Sequence, residues 1–157
     1  MERNGYLLSN CSIARSLQVL GEKWTLLIAR EAFSGSTRFE QFHSVLGCPR
    51  NLLSERLRKL VDEGILEPSD YRESGSRPRK EYHLTDSGRE LLPILLALRE
   101  WGDRHKADPA GPAAINRHVG CGEEVHLAVI CDAGHTINSP EDVEAVSGPG
   151  ALLACEA

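Results

Sequence analysis

Residues 40–64 read EQFHSVLGCPRNLLSERLRKLVDEG. Phe42, Val45 and Leu46 recur at helical spacing, Gly47 ends that pattern, and Pro49 opens a second, longer one. Proline suits the first position of a helix, because the N–H it lacks would have no intrahelical partner there. Along the longer helix, to about residue 63, Leu53, Leu57, Leu60 and Val61 follow i, i+4, i+7 and i+8 and form one core-facing stripe. Arg50, Asn51, Ser54, Glu55 and Arg58 fall mainly on the other side, and Gly64 is placed to cap the end. A short helix, a tight turn and a longer two-faced helix form the arrangement that lays a recognition helix in the major groove of DNA.

That groove admits one helix, whose N-terminal residues reach base edges. Arg50 and Asn51 are therefore the candidates for base contact, since Arg pairs with guanine through two N–H groups and Asn pairs with adenine in bidentate fashion. Ser54 and Arg58, one and two turns on, are placed for bases or phosphates. The same pattern also describes the solvated polar face of any amphipathic helix, so the neighbouring elements decide between the two readings.

Upstream, Ile13, Leu17 and Leu20 mark a helix over residues 12–20, with Ser12 as its N-cap and Gly21 as its stop. A second helix over 23–33 places Trp24, Leu27 and Ile28 on one face before Ser34-Gly35-Ser36 ends it. Arg38-Phe39 reads as an extended link and 40–46 as the short helix. Downstream, residues 65–67 and 80–84 read as two short strands joined by the loop SDYRESGSRPR. Arg72, Arg77, Arg79 and Lys80 against Glu73 leave the distal part of this hairpin strongly basic, placed to meet phosphate or the minor groove. Arg38 and Lys59 are further candidate phosphate contacts.

Thr85 is placed to cap a long final helix running to about residue 105. On a helical wheel Leu91, Leu92, Ile94, Leu95, Leu96, Leu98 and Trp101 span roughly 220°, about twice what one buried face needs. The excess predicts packing on the helix's own domain and on a second subunit. Pro93 predicts a bend near Arg89 or Glu90. The expected fold is mainly α with a small β-hairpin wing, a winged helix-turn-helix, plus a small C-terminal β-containing extension. Residues 1–105 are expected to form the DNA-binding and dimerisation domain, 106–116 a linker containing Asp108-Pro109-Ala110-Gly111-Pro112, and 117–157 an extension of unassigned role. In the extension, 125–131 alternates imperfectly as a strand before the turn Asp132-Ala133-Gly134.

Bulk properties fit this reading. Of the 157 residues 41% are hydrophobic and 26% charged, which is ordinary for a globular protein and disfavours disorder. No apolar run approaches the roughly 18 residues of a membrane span, and the start, MERNGYLLSN, lacks a signal-peptide core, so the cytoplasm is the expected location. The net charge of −5 is uneven: residues 1–105 carry 16 Lys/Arg against 15 Asp/Glu, and the remainder 2 against 8. The acidity belongs to the tail, and so does not argue against DNA as a partner. Five cysteines, Cys11, Cys48, Cys121, Cys131 and Cys155, are an odd number at irregular spacing, which points to reduced thiols. No phosphate-binding glycine loop, nucleophile elbow or HExxH motif supports an enzyme.

The residues also carry a family resemblance. From Cys11 to His105 the chain resembles HxlR-type bacterial transcription regulators, winged-helix relatives of the MarR group. The matching parts are Cys11, Leu20-Gly21 with Lys23-Trp24, Arg38-Phe39, Leu53 with Arg56-Leu57, Glu63-Gly64, Tyr82 with Leu84-Thr85, Gly88 and Trp101-Gly102. The resemblance implies a homodimer joined by its terminal helices and bound to an inverted repeat in double-stranded DNA, and a small-molecule or electrophile effector is a further candidate partner. It implies nothing for the tail, which is longer than the basic family pattern.

Cys11 matches the cysteine that some family members use to sense oxidants or electrophiles. A helix N-terminus lowers a thiol pKa and Arg15 would help stabilise the thiolate, whereas the commoner fate of a free cysteine is burial as a small hydrophobe. In the tail, His118-x2-Cys121 and Cys131-x3-His135 flank the expected strand and could supply four zinc ligands. Neither pair is a CxxC and the spacing is loose, so a metal-free hairpin with no cofactor is the favoured reading. The functional alternative to DNA binding is a protein-interaction module, in which the acidic tail meets a partner and the winged helix is a scaffold.

Overall fold

A computed structural model describes residues 8–72, 77–106 and 108–151. By contacts the chain divides into two compact units, one essentially residues 2–92 and the other 93–149. The first holds helices α1 (Ser12–Leu20), α2 (Lys23–Phe33), α3 (Phe39–Leu46) and α4 (Arg50–Asp62), strands β1 (Leu66–Tyr71) and β2 (Arg79–Leu84), and the short helix α5 (Asp86–Arg89). The second holds α6 (Leu92–His105), apart from its first residue, and the two-residue strands β3 (Val129–Ile130) and β4 (Thr136–Ile137). No helix among the described residues is long and apolar enough to cross a membrane.

The leucine stripe anchors the first unit. Leu53, Leu57 and Leu60 are buried together with Ile28, Ala29, Phe42 and Cys48, and each such leucine contributes about 1.5–3 kcal/mol relative to an exposed one. Val61, the fourth member of the stripe, is only half-buried, at the edge of the helix's inner face. Helix ends differ slightly from expectation. Cys11 rather than Ser12 is the N-cap of α1, and Pro49 is the N-cap of α4 rather than its first turn. Gly21 does stop α1, but through close approach: a Cβ there would lie 2.4 Å from the Leu17 carbonyl oxygen. The turn between α3 and α4 depends on Gly47 at φ +62°, a region that glycine adopts without steric cost.

The wing is longer than expected. β1 and β2 pair antiparallel over six residues each, from Leu66 opposite Leu84 to Tyr71 opposite Arg79. Pro68-Ser69-Asp70 belong to β1, an edge strand, where proline is tolerated. The Arg38 link forms an isolated bridge with Glu81, and the Tyr82 N–H donates to the Thr37 carbonyl at 2.7 Å, so the hairpin is tied directly to the entry of α3.

The expected long terminal helix is two helices, α5 and α6, broken at Glu90-Leu91, because Pro93 has no N–H to continue the hydrogen-bond ladder. The division at Leu92/Pro93, upstream of the change in composition near residue 105, has a visible cause. Arg99 Nη2 donates to the Val125 carbonyl at 3.2 Å and a second terminal N–H meets Asn116, while the Leu127 N–H donates to Glu100 Oε1 at 2.6 Å. These bonds fasten the extension along α6. The extension is less regular than expected: of residues 125–131 only Val129 and Ile130 form a strand, paired with Ile137 and Thr136. The turn Asp132-Ala133-Gly134 forms, with the Gly134 N–H donating to the Cys131 carbonyl at 2.8 Å and φ +85° at Gly134.

Candidate nucleic-acid interface

Burial of the leucines fixes the rotation of α4 and turns its polar residues outward. Arg50, Asn51, Ser54 and Arg58 are all exposed. Arg50 and Asn51 occupy the first turn, where backbone N–H groups are unpaired and the helix dipole favours anions. Facing them, β1 and β2 present Tyr71, Arg79, Lys80 and Tyr82. Between the two lies an open groove of about 660 Å³ lined by Phe39, Glu40, Arg50, Asn51, Ser54, Tyr71, Arg79, Lys80 and Tyr82. Four of the predicted contact residues, Arg50, Asn51, Ser54 and Arg79, meet there.

The remaining predicted residues lie around it. Arg38 stacks its guanidinium on the Tyr71 ring, 4.3 Å from the centroid, beside the groove. Arg77 is exposed on the wing, whose tip at residues 73–76 lies outside the described residues. Arg58 is exposed further along α4 and does not line the groove. Lys59 is turned to α1, where its Nζ donates to the Gln18 carbonyl at 2.6 Å.

Arg50 and Lys80, two of the cations lining the groove, are ion-paired. Arg50 meets Glu40 in a fork: Nη1 donates to Oε2 at 2.9 Å and Nη2 to Oε1, and the guanidinium lies over the Phe39 ring, 4.8 Å from its centroid. The hydrogen bond from Arg50 holds the Glu40 carboxyl below its usual value, helped by the charges of Arg50, His43 and Arg79, and the same bond raises Arg50. Lys80 Nζ stands 2.7 Å from Asp70 Oδ1. Sequence assigns no contact role to Glu40, Phe39, Tyr71 or Tyr82, although Phe39 and Tyr82 belong to the family resemblance. The tyrosines could have been found from their wing positions, but the Glu40–Arg50 pair depends on the angle between two helices.

Cys11 is half-buried at the start of α1, and its carbonyl accepts from Arg15 N at 3.0 Å. Cys48 is buried in the turn before α4. In the extension each candidate pair is drawn together: His118 Nδ1 lies 3.2 Å from Cys121 Sγ, and Cys131 Sγ lies 3.6 Å from His135 Nδ1. Among the described residues no three His, Cys, Asp or Glu side chains form a group that could hold a metal ion. Backbone N–H groups of His135 and then Ala133 stabilise the Cys131 thiolate and lower its pKa.

Comparison with known proteins agrees with this geometry. The HTH-type transcriptional regulator Rv3095 of Mycobacterium tuberculosis is 43% identical over 140 residues, covering 88% of this chain and 87% of its own. The crystal structure of PA1607, a candidate transcription factor, is 36% identical with a TM-score of 0.78 and covers 88% of this chain and 95% of its own. Both matches reach past His105 into the extension. The redox regulator HypR in its oxidised form is 31% identical, with a TM-score of 0.56 over 62% of this chain and all of its own. The model of the HxlR-like helix-turn-helix matches residues 19–109, and with a turn at Gly47, a polar α4 face and a hairpin wing in place, this chain belongs to the HxlR-like family of DNA-binding transcriptional regulators.

Proposed function

We propose that the protein is a sequence-specific transcriptional regulator that binds an inverted-repeat operator as a homodimer, with Arg50 and Asn51 reading bases and Arg77 and Arg79 of the wing holding phosphate. The observation that carries this reading is the convergence of Arg50, Asn51, Ser54 and Arg79 on one groove between α4 and the hairpin. Arg58 and Arg38, at its margins, add phosphate contacts. The dimer is supported by unpartnered apolar faces, Ile13 and Leu17 on α1 and Ile94, Leu98 and Trp101 on α6, all exposed in the single chain. Such a regulator works in the cytoplasm, on double-stranded DNA.

Selection of preferred sites from random or genomic DNA tests the proposal. An inverted repeat with half-sites about one helical turn apart is the expected product. Replacing Arg50 or Asn51 by Ala should lower preference for that site by about 1–3 kcal/mol per lost base contact, whereas Arg77→Ala or Arg79→Ala should weaken binding to all DNA. Binding with no site preference overturns it.

Thiol control is a narrower reading, favoured by the likeness to HypR and by the place of Cys11 at a helix start. An adduct there would alter how α1 packs and, in a dimer, the spacing of the two recognition helices. Mild oxidant or a quinone should change operator affinity of the wild type and not of Cys11→Ser. An equal response in both removes Cys11 from the mechanism.

A further inference from the structure

We propose that Glu40 is a specificity-determining residue that acts through Arg50, holding its guanidinium to a base edge and away from the phosphate backbone. The inference rests on the DNA-binding reading above and deepens it. Glu40 lies in the first turn of α3 and Arg50 at the start of α4, ten residues apart and joined across the Gly47 turn. Both carboxylate oxygens accept from Arg50, one from each terminal nitrogen, and Phe39 supports the flat face of the guanidinium. A long, exposed side chain that would otherwise sample many rotamers is thereby held in one.

The fork leaves a defined part of Arg50 available. A guanidinium has two edges that can each present two parallel N–H groups, one between the terminal nitrogens and one including Nε. Glu40 occupies the first. The second can pair with guanine O6 and N7, the commonest specific Arg contact in the major groove. A phosphate could use that edge too, but it would approach with the Glu40 carboxylate alongside, and two anions in close proximity repel. An arginine without this partner is drawn to the nearest phosphate, which carries no sequence information directly. Among the described residues Glu40 is the only acid lining the groove, alongside the cations Arg50, Arg79 and Lys80. The acid thus costs overall attraction to DNA while favouring the neutral base edge.

The test measures Kd of the wild type, Glu40→Gln, Arg50→Lys and the double variant for a selected site and for scrambled DNA, at several salt concentrations. Circular dichroism confirms folding of each. For Glu40→Gln we expect discrimination between the two DNAs to fall about ten-fold, affinity for scrambled DNA to rise, and the salt slope to steepen by roughly one phosphate contact. Arg50→Lys keeps the charge but not the fork, and should lose discrimination to a similar degree. In its background Glu40→Gln should have no further effect on discrimination. Glu40→Gln that weakens both DNAs equally, or changes neither, overturns the proposal. So does a full additional effect in the Arg50→Lys background, because Glu40 would then act without Arg50. A wild type that prefers no site is instead a failure of the DNA-binding reading, visible before any variant is made.

Discussion

The ammonium of Lys59 donates a 2.6 Å hydrogen bond to the carbonyl oxygen of Gln18, joining α4 to the last turn of α1. The last four carbonyls of a helix have no intrahelical partner, and a cation at that end also complements the helix dipole. The Leu17 carbonyl is satisfied by the Gly21 N–H at 2.8 Å, and the Gln18 carbonyl by Lys59. Lys59→Ala should therefore lower stability by about 0.5–1 kcal/mol, screened by salt, while leaving the salt slope of DNA binding almost unchanged. A slope reduced by about one, with the melting temperature intact, would return Lys59 to phosphate contact.

Gly88 is required by close approach. A Cβ at that position would stand 2.2 Å from the Ile65 carbonyl oxygen and 3.1 Å from Leu84 Cδ2. The carbonyl cannot move freely, because it accepts from the Thr85 N–H at 3.1 Å, while the Thr85 hydroxyl donates to the preceding carbonyl, that of Gly64, at 2.6 Å. Gly88→Ala should cost about 1–3 kcal/mol, and thermal denaturation should show a fall of several degrees. Thr85→Ala removes the cap on the Gly88 N–H and should cost about 1 kcal/mol. The two changes meet at the Gly88 N–H, which donates to the Thr85 hydroxyl oxygen at 3.0 Å, so their sum should exceed the loss in the double variant. Strict additivity would show that the alanine Cβ is accommodated elsewhere.

What could be read from sequence was the part set by local periodicity. The spacing of Leu53, Leu57 and Leu60 gave α4 its inner face, and with it the outward direction of Arg50 and Asn51. Ser69-Asp70-Tyr71 reads as loop because the place of these residues in β1 is imposed by Glu81, Lys80 and Arg79 opposite. Sequence makes Lys59 a candidate phosphate contact, and nothing local reveals that the Gln18 carbonyl at the end of α1 also lies within its reach. The extension was least legible: its chain is held through Arg99 and Glu100 to backbone groups of Val125 and Leu127, and such side-chain bonds leave no periodic trace. The Glu40–Arg50 fork was hidden for the same reason.

Thiol chemistry should separate the cysteines by environment. Cys131 is exposed, and its thiolate is stabilised by the backbone N–H groups of His135 and Ala133. Its alkylation should reach half its maximal rate at a pH below that of an unperturbed thiol, since the thiolate is the nucleophile. Cys48, with 1% of its surface exposed, should react only when the protein unfolds. Peptide mapping after brief treatment with iodoacetamide across a pH series measures both. An ordinary pH profile at Cys131 would mean that the turn 131–135 opens in solution.

The zinc ligands considered in the extension meet in two pairs, His118 with Cys121 and Cys131 with His135. A pair supplies only two of the four ligands that a structural zinc site requires. A strong chelator should therefore leave the melting temperature of the purified protein unchanged, and native mass spectrometry should show the mass of the polypeptide alone. One zinc per chain, lost together with several degrees of stability, would mean that the two pairs converge on one ion.

Leu96 and Leu98 are two residues apart on α6 and separate folding from dimerisation. Leu96 is 9% exposed and Leu98 49% exposed in the single chain, with Trp101 further along the helix at 53%. A carboxylate at a position that is buried in the monomer damages the fold, whereas at a position buried only by a second subunit it damages assembly alone. Leu96→Glu should thus lose its cooperative unfolding transition. Leu98→Glu should retain the wild-type circular dichroism spectrum and sediment as a monomer at micromolar concentration, where the wild type sediments as a dimer. The folded monomer would present one recognition helix at a time, and its affinity for an inverted repeat should fall towards that for a single half-site, because the second half-site no longer adds effective concentration. A wild type that is itself monomeric at that concentration, or a Leu98→Glu variant that remains dimeric, would place the subunit contact away from α6 and leave its apolar face to another partner.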